Sequence, residues 1–238
     1  MTTVGLLMCG HVAPAIAATE GDYPDLFDAL LAPHGVELQV FAVDEGQLPA
    51  SLDECDGWMT SPSRSSVLGE DPWLPEALEL VRRIVAEERP FAGICFGHQM
   101  LGQAMGGRVE RAAGGWGVGA QRYSVVAPQP WMEPAPPGGG FTLIASHEDQ
   151  VTELPPGAVR LAGTDHCPNA MFALGERAIG LQPHPEFTAP ISRALVEGRR
   201  DLIGAERADE ALASLDAPLD RDLVARWIVR FLTSSAAA

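Results

Sequence analysis

The stretch Gly93-Ile94-Cys95-Phe96-Gly97 restricts the fold more than any other part of the chain. Phe91 to Ile94 reads as a buried strand, and Gln99 to Met105 as a helix ended by Gly106-Gly107. The cysteine between them lies at a sharp turn, with glycine two residues before it and two after. Such an elbow needs close backbone approach, which small flanking residues permit. It places the side chain at the carboxyl end of a strand, where ligands of open α/β sheets bind. It also places sulfur near a helix amino terminus, whose partial positive charge favours thiolate.

The remaining segments alternate in the same manner. Val4 to Met8 is an apolar strand ended by Cys9-Gly10, and a loop containing Pro14 follows. Asp25 to Leu31 reads as a helix with Leu26, Phe27, Leu30 and Leu31 on one face, stopped by Gly35. Val36 to Val43 and Gly57 to Thr60 read as strands, the latter running into a polar turn at Ser61 to Ser66. Leu74 to Glu88 repeats apolar residues at helical spacing, with Pro90 just beyond. Further strands are expected at Tyr123–Ala127, Phe141–Ala145, Ala158–Ala162, Asn169–Ala173 and Ala178–Gln182. The Pro- and Gly-rich stretch 128–140 reads as a hairpin or surface excursion. Pro190–Leu202, Glu206–Leu215 and Arg221–Leu232 read as helices, and Ser234 to Ala238 as a frayed end. This order predicts an α/β fold: a mostly parallel sheet with helices on both faces, plus C-terminal helices. No repeat or linker divides it, so one domain is expected over 1–238, with a core at about 3–190 and a helical extension over 190–235.

Charge and cysteine usage narrow the function. The net charge is −16, and every basic residue is an arginine. An acidic surface repels phosphate backbones, which argues against nucleic-acid binding. Cys9, Cys55, Cys95 and Cys167 include no C-x-x-C pair, so no metal site is expected, and no P-loop or other nucleotide signature points to a cofactor. The apolar N-terminus ends in Ala15-Ile16-Ala17-Ala18 but lacks a preceding positive charge and is interrupted by His11 and Pro14, unlike a signal peptide. No run approaches the ~18 apolar residues of a membrane span. The expectation is a soluble cytoplasmic protein with no membrane partner.

A cysteine nucleophile needs a base. His184 lies in Gln182-Pro183-His184-Pro185-Glu186-Phe187, at the end of an expected strand, two residues from Glu186. On extended backbone that spacing puts both side chains on one face. A carboxylate there can fix the imidazole tautomer and stabilise its charged form.

Gly93-Ile94-Cys95-Phe96-Gly97-His98-Gln99 and His184-Pro185-Glu186 together resemble the two signatures of class I glutamine amidotransferases. The likeness covers roughly residues 3 to 190. It implies a flavodoxin-like domain, a γ-glutamyl thioester on Cys95, His184 as base and acid, Glu186 as orienting carboxylate, and release of ammonia from glutamine. It implies that the Phe96 amide is one oxyanion donor and that Gln99 helps bind glutamine. The family's second donor comes from a Gly-Gly turn, where this chain has Ser61-Pro62-Ser63. Pro62 has no N–H, so the donor would be the amide of Ser63. Ser146-His147-Glu148-Asp149-Gln150-Val151 resembles a stretch of GMP synthetase amidotransferase domains, and Gly115-Trp116-Gly117-Val118-Gly119 a segment of stand-alone members such as plant γ-glutamyl peptidases. In that branch both loops line the substrate side, which makes His147 a substrate-binding candidate beside a structural reading. No synthetase domain is expected after the second signature. Three readings stay open: a glutaminase feeding ammonia to a separate synthetase subunit, a free-standing γ-glutamyl peptidase or hydrolase, and a non-catalytic binding or scaffold relative.

Overall fold

The computed structural model describes residues 2–234, so the expected frayed end lies, from residue 235 on, outside the described residues. The chain opens with β1 (Thr2–Met8), α1 (Pro14–Glu20), α2 (Tyr23–Leu31) and β2 (Val36–Ala42). Then come β3 (Gly57–Thr60), α3 (Leu74–Ala86), β4 (Phe91–Ile94) and α4 (Phe96–Ala104). The middle carries β5 (Arg108–Arg111), β6 (Gly117–Val125), β7 (Gly140–His147), β8 (Asp149–Glu153), β9 (Ala158–Gly163), β10 (Met171–Leu174) and β11 (Ala178–Leu181). Helices α5 (Ala189–Gly198), α6 (Arg200–Ile203), α7 (Ala205–Ser214) and α8 (Arg221–Thr233) follow.

One large sheet has the order β2-β1-β3-β4-β11-β10-β9-β6-β7. From β2 to β11 all neighbours are parallel, and from β11 to β7 all are antiparallel. Only β10 and β6 therefore run against the other strands, and the sheet is mostly parallel as expected. Every residue of β3, β4 and β11 is buried, because helices cover both faces there. Alternate side chains enter two cores, as the strand period of two requires. Val4, Leu6, Met59 and Ile94 pack with Phe27 of α2 and Trp227 of α8. Leu7, Trp58 and Phe91 pack with Val81 of α3 and Phe96 of α4.

The structure departs from the sequence expectations at several places. The loop with Pro14 is the helix α1. Proline stands at its first turn, where the missing N–H is harmless, and the alanines that follow are strong helix formers. Helix α4 starts at Phe96, three residues earlier than the pattern suggested, because the strand turns into the helix at Cys95 with no loop between. Strand β6 begins at Gly117 rather than Tyr123; its glycines hide strand character, but it pairs with β7 from Gly117↔His147 to Ser124↔Gly140. Strand β10 starts at Met171, because Asn169 instead donates its side-chain amide to Val151 O at 3.1 Å. The separate β5–β8 ladder was not foreseen: only its Val109 and Val151 join the core, among charged neighbours. The expected helix 190–202 breaks between Gly198 and Arg200, leaving Arg199 at φ −115° and ψ 14°.

The last helix is core rather than appendage. Trp227 is fully buried, donates Nε1–H to Pro134 O at 2.9 Å and meets Phe141 edge-on at 5.5 Å. Trp227→Ala is expected to lower unfolding free energy by about 3–5 kcal/mol, read as a lower urea midpoint at unchanged slope. A loss below about 1 kcal/mol would instead mean that α8 packs loosely on the sheet.

Candidate active site

Cys95 caps helix α4 with φ 50° and ψ −96°, a conformation rare outside glycine. Such backbone costs about 1–3 kcal/mol and persists only when its surroundings impose it. Here Cys95 N–H donates to Leu181 O at 2.8 Å, and Ile94 N–H donates to Thr60 Oγ1 at 3.3 Å. A Cβ on Gly93 would strike the carbonyl of Gly97, and a Cβ on Gly97 would overlap Thr60 Oγ1. The two glycines are thus required by contact. The other cysteines are ordinary core groups: burial pushes Cys55 up to about 11 and Cys167 up to about 12, and raises Cys9 strongly as well.

His184 follows β11 and is tied to β7 through its N–H on Ile144 O at 2.9 Å. Its Nδ1 lies 2.7 Å from Glu186 Oε1, with both side chains buried. A carboxylate only accepts, so Nδ1 carries the proton and donates. The other ring nitrogen, Nε2, is buried without a hydrogen-bond partner among the described residues. Phe187 stacks flat on the ring at 4.0 Å, fixing its plane. Arg221 of α8 donates to Pro185 O at 2.8 Å and Glu186 O at 3.0 Å, pinning the loop. Burial works to lower the His184 pKa, but its electrostatic and hydrogen-bonding interactions with Cys95 and Glu186 outweigh it and raise the pKa to about 10.

Cys95, Phe96, Gln99, Ser63 and His147 all line one open cavity of about 290 Å³, and Cys95, Ser63 and His184 meet again in a small one of about 30 Å³. The structure therefore brings every sequence-predicted residue to one place except Glu186, which stands behind His184. The Phe96 amide opens α4, and first-turn amides of a helix have no partner within it. The Ser63 turn is held by Ser65 N–H on Ser63 Oγ at 3.0 Å. The Gln99 amide nitrogen already donates to Asp149 O at 2.8 Å and Gln182 Oε1 at 3.3 Å. His147 Nδ1 lies 3.2 Å from Asp149 O and so donates; burial, then the charges of His166 and His184, lowers its pKa to about 3, which keeps the ring neutral.

Gln182 was missed. It is fully buried, and its Nε2 lies 3.6 Å from Cys95 Sγ. Its place two residues before His184, at a strand end, was the available signal. Arg64, Arg111, Trp116 and Arg199 also line the cavity without having been singled out one by one. His98 is no part of it: it is buried against Phe172, with its pKa lowered to about 3 by burial.

Among the described residues no helix is long and apolar enough to cross a membrane. Residues 26–194 match the family model for glutamine amidotransferase class-I. The chain is 30% identical to γ-glutamyl peptidase 5 of Arabidopsis thaliana over 82% of its own length and 81% of the relative's. It is 34% identical to a glutamine-hydrolysing GMP synthase of Parasynechococcus marenigrum, over 74% of this chain but 33% of that one. A glutamine amidotransferase from Thermotoga maritima superposes with a TM-score of 0.75 at 21% identity, covering 98% of this chain and 96% of the other, which establishes likeness of fold.

The charge on His184 has a measurable consequence. Its folded pKa of about 10 exceeds the ordinary 6.5. The stabilisation from the charged ring is therefore complete below the unfolded value and disappears as pH rises through the folded one. The melting temperature of the wild type relative to His184→Gln should fall steadily between about pH 7 and about pH 10. A difference independent of pH would mean that the ring is neutral throughout.

Proposed function

The chain belongs to the class I glutamine amidotransferase family, and from that we propose that it hydrolyses a γ-glutamyl amide through a thioester on Cys95. The observation that carries this reading is the strained Cys95 elbow sharing a cavity with His184, whose ring is backed by Glu186. The thiolate of Cys95 attacks the γ-carbonyl carbon, forming a C–S bond, and the oxygen takes the negative charge. The amides of Phe96 and Ser63 receive that oxyanion; one such donor is worth about 3 kcal/mol. The Ser63 amide follows Pro62, so the missing N–H of the proline does not remove this donor. Imidazolium His184 gives its Nε2 proton to the departing nitrogen, and the C–N bond breaks. Neutral His184 then takes a proton from water as hydroxide attacks the thioester, and thiolate leaves with the imidazolium restored. Glu186 holds the tautomer in both steps. Gln182, beside the sulfur, positions the thiolate, while Gln99 and His147 shape the wall that receives the glutamyl group.

In the first reading the substrate is glutamine, and ammonia passes to an acceptor on a separate synthetase, as the likeness to GMP synthases suggests. A second reading, a free-standing γ-glutamyl peptidase, is favoured by one observation: the γ-glutamyl peptidases match over most of their own length, the GMP synthases over a third. The intact cysteine, histidine and glutamate weigh against a non-catalytic relative.

Purified protein should release glutamate from glutamine or from a γ-glutamyl dipeptide, and Cys95→Ala should release none. Ammonia from glutamine supports the amidotransferase reading; release from dipeptides with little from glutamine supports the peptidase. Glu186→Gln should lower kcat by about a thousandfold or more while the fold survives; an unchanged kcat would remove Glu186 from the mechanism. Iodoacetamide at neutral pH should label Cys95 before the other three cysteines, and His184→Ala should slow it. Equal labelling of all four would count against an activated thiol at the elbow.

A further inference from the structure

The break between α5 and α6 brings Arg199 into the cleft. Its backbone N–H still closes α5 on Leu195 O at 3.1 Å. Nη1 donates to Ser146 Oγ at 3.1 Å, and the guanidinium carbon stands 5.6 Å from the centre of the Trp116 ring. Arg199 lines both the cavity of about 290 Å³ and the smaller one that holds Cys95 and His184. Among the described residues no carboxylate lies within ion-pair distance of it. Arg111, in the same cleft, is by contrast within 3.5 Å of Glu148 and 3.7 Å of Asp149. Arg177, Arg207 and Arg221 are also half-buried without an acid in ion-pair distance, but each donates to backbone carbonyls, whereas Arg199 donates to a serine hydroxyl inside the cleft. Burial opposes its charge and lowers its pKa, an effect that Tyr23 and Cys95 counter in part and Arg64 reinforces. Arg199 also lies beyond residue 194, where the family match ends.

The guanidinium is already oriented. Ser146 holds one nitrogen and Trp116 takes one face, leaving donors of a planar fork that suit a carboxylate. A substrate carboxylate arriving here would meet a cation that has lost much of its water and needs no rearrangement, which is where a charge-assisted contact is strongest. We propose that Arg199 is a specificity-determining residue that receives a free carboxylate of the substrate. The inference rests on the reading that Cys95 attacks a γ-glutamyl amide. That carboxylate belongs either to the α-carbon of the glutamyl group or to an amino acid serving as leaving group.

Binding to Cys95→Ala protein separates these sources without turnover. Calorimetry would use γ-glutamylalanine, the same compound amidated on alanine, and the same compound amidated on the glutamyl α-carboxyl. Adding Arg199→Met should weaken γ-glutamylalanine by about tenfold or more. The amide lacking the recognised carboxylate should bind weakly from the start and lose nothing further, which names the source. Arg199→Lys should retain part of the affinity, and melting temperatures of both variants check that the fold survives. Equal weakening of all three compounds would mean that Arg199 only props Trp116 and Ser146, and would overturn the proposal. No weakening, or no binding of any compound to Cys95→Ala, would overturn it too. Tight, Arg199-dependent binding by a wild type that releases no glutamate would sink the hydrolase reading instead and leave this one standing.

Discussion

The backbone of Cys95 is the constraint on which the rest of the site depends. A β-carbon-bearing residue does not take φ 50° and ψ −96° unless forced. The force comes from the middle of the parallel sheet, where β4 lies between β3 and β11 and each neighbour supplies a hydrogen bond to the turn. Thr60 and the Gly97 backbone leave room for no side chain at positions 93 and 97. Strand order, glycine placement and the geometry of Cys95 are thus one fact. A sheet without β11 beside β4 would lose both the hydrogen bond to Cys95 N–H and the segment that carries His184.

The second constraint is charge in a buried place. His184 is stacked, buried and bonded on one nitrogen only. Burial alone would keep it neutral, as it does for His98 and His147. The difference is the pair Cys95 and Glu186, whose interactions with the ring raise its pKa. A buried imidazolium is tolerable here because Glu186 and Cys95 face it, and removing either would leave an uncompensated charge or a neutral ring. The same residue type at three nearby positions thus carries three environments, and only one of them suits proton transfer.

How far the sequence disclosed this depended on whether a signal was local. The elbow was legible because Gly93, Cys95 and Gly97 sit within five residues between two strong periodic segments. His184 and Glu186 were legible because a spacing of two on extended chain is itself geometric. The parallel half of the sheet followed from unbroken apolar runs. The antiparallel half was harder: β5 and β8 are short and charged, and β6 opens with glycines whose pairing to β7 is set by the partner strand rather than by propensity. Gln182 escaped because an apolar run ending in glutamine has no period to mark it. Arg199 escaped because its helical pattern continues through 202, and the break at Arg199 between α5 and α6 leaves no mark in that pattern.

The arginines of the C-terminal helices explain why those helices belong to the site. Arg221 holds the carbonyls of Pro185 and Glu186, and Arg207 of α7 donates to the carbonyls of Gly114 and Trp116. These carbonyls lie in irregular loops that no strand can satisfy, and a guanidinium has enough donors to take two at once. The same interactions fix Trp116, which in turn faces Arg199. The elbow and the histidine are thus placed by the sheet, whereas the loops that would meet a substrate are placed by helices outside the segment that matches the family model. A single fold can in this way keep one set of reacting groups while the residues that choose the substrate change with the helices laid across them.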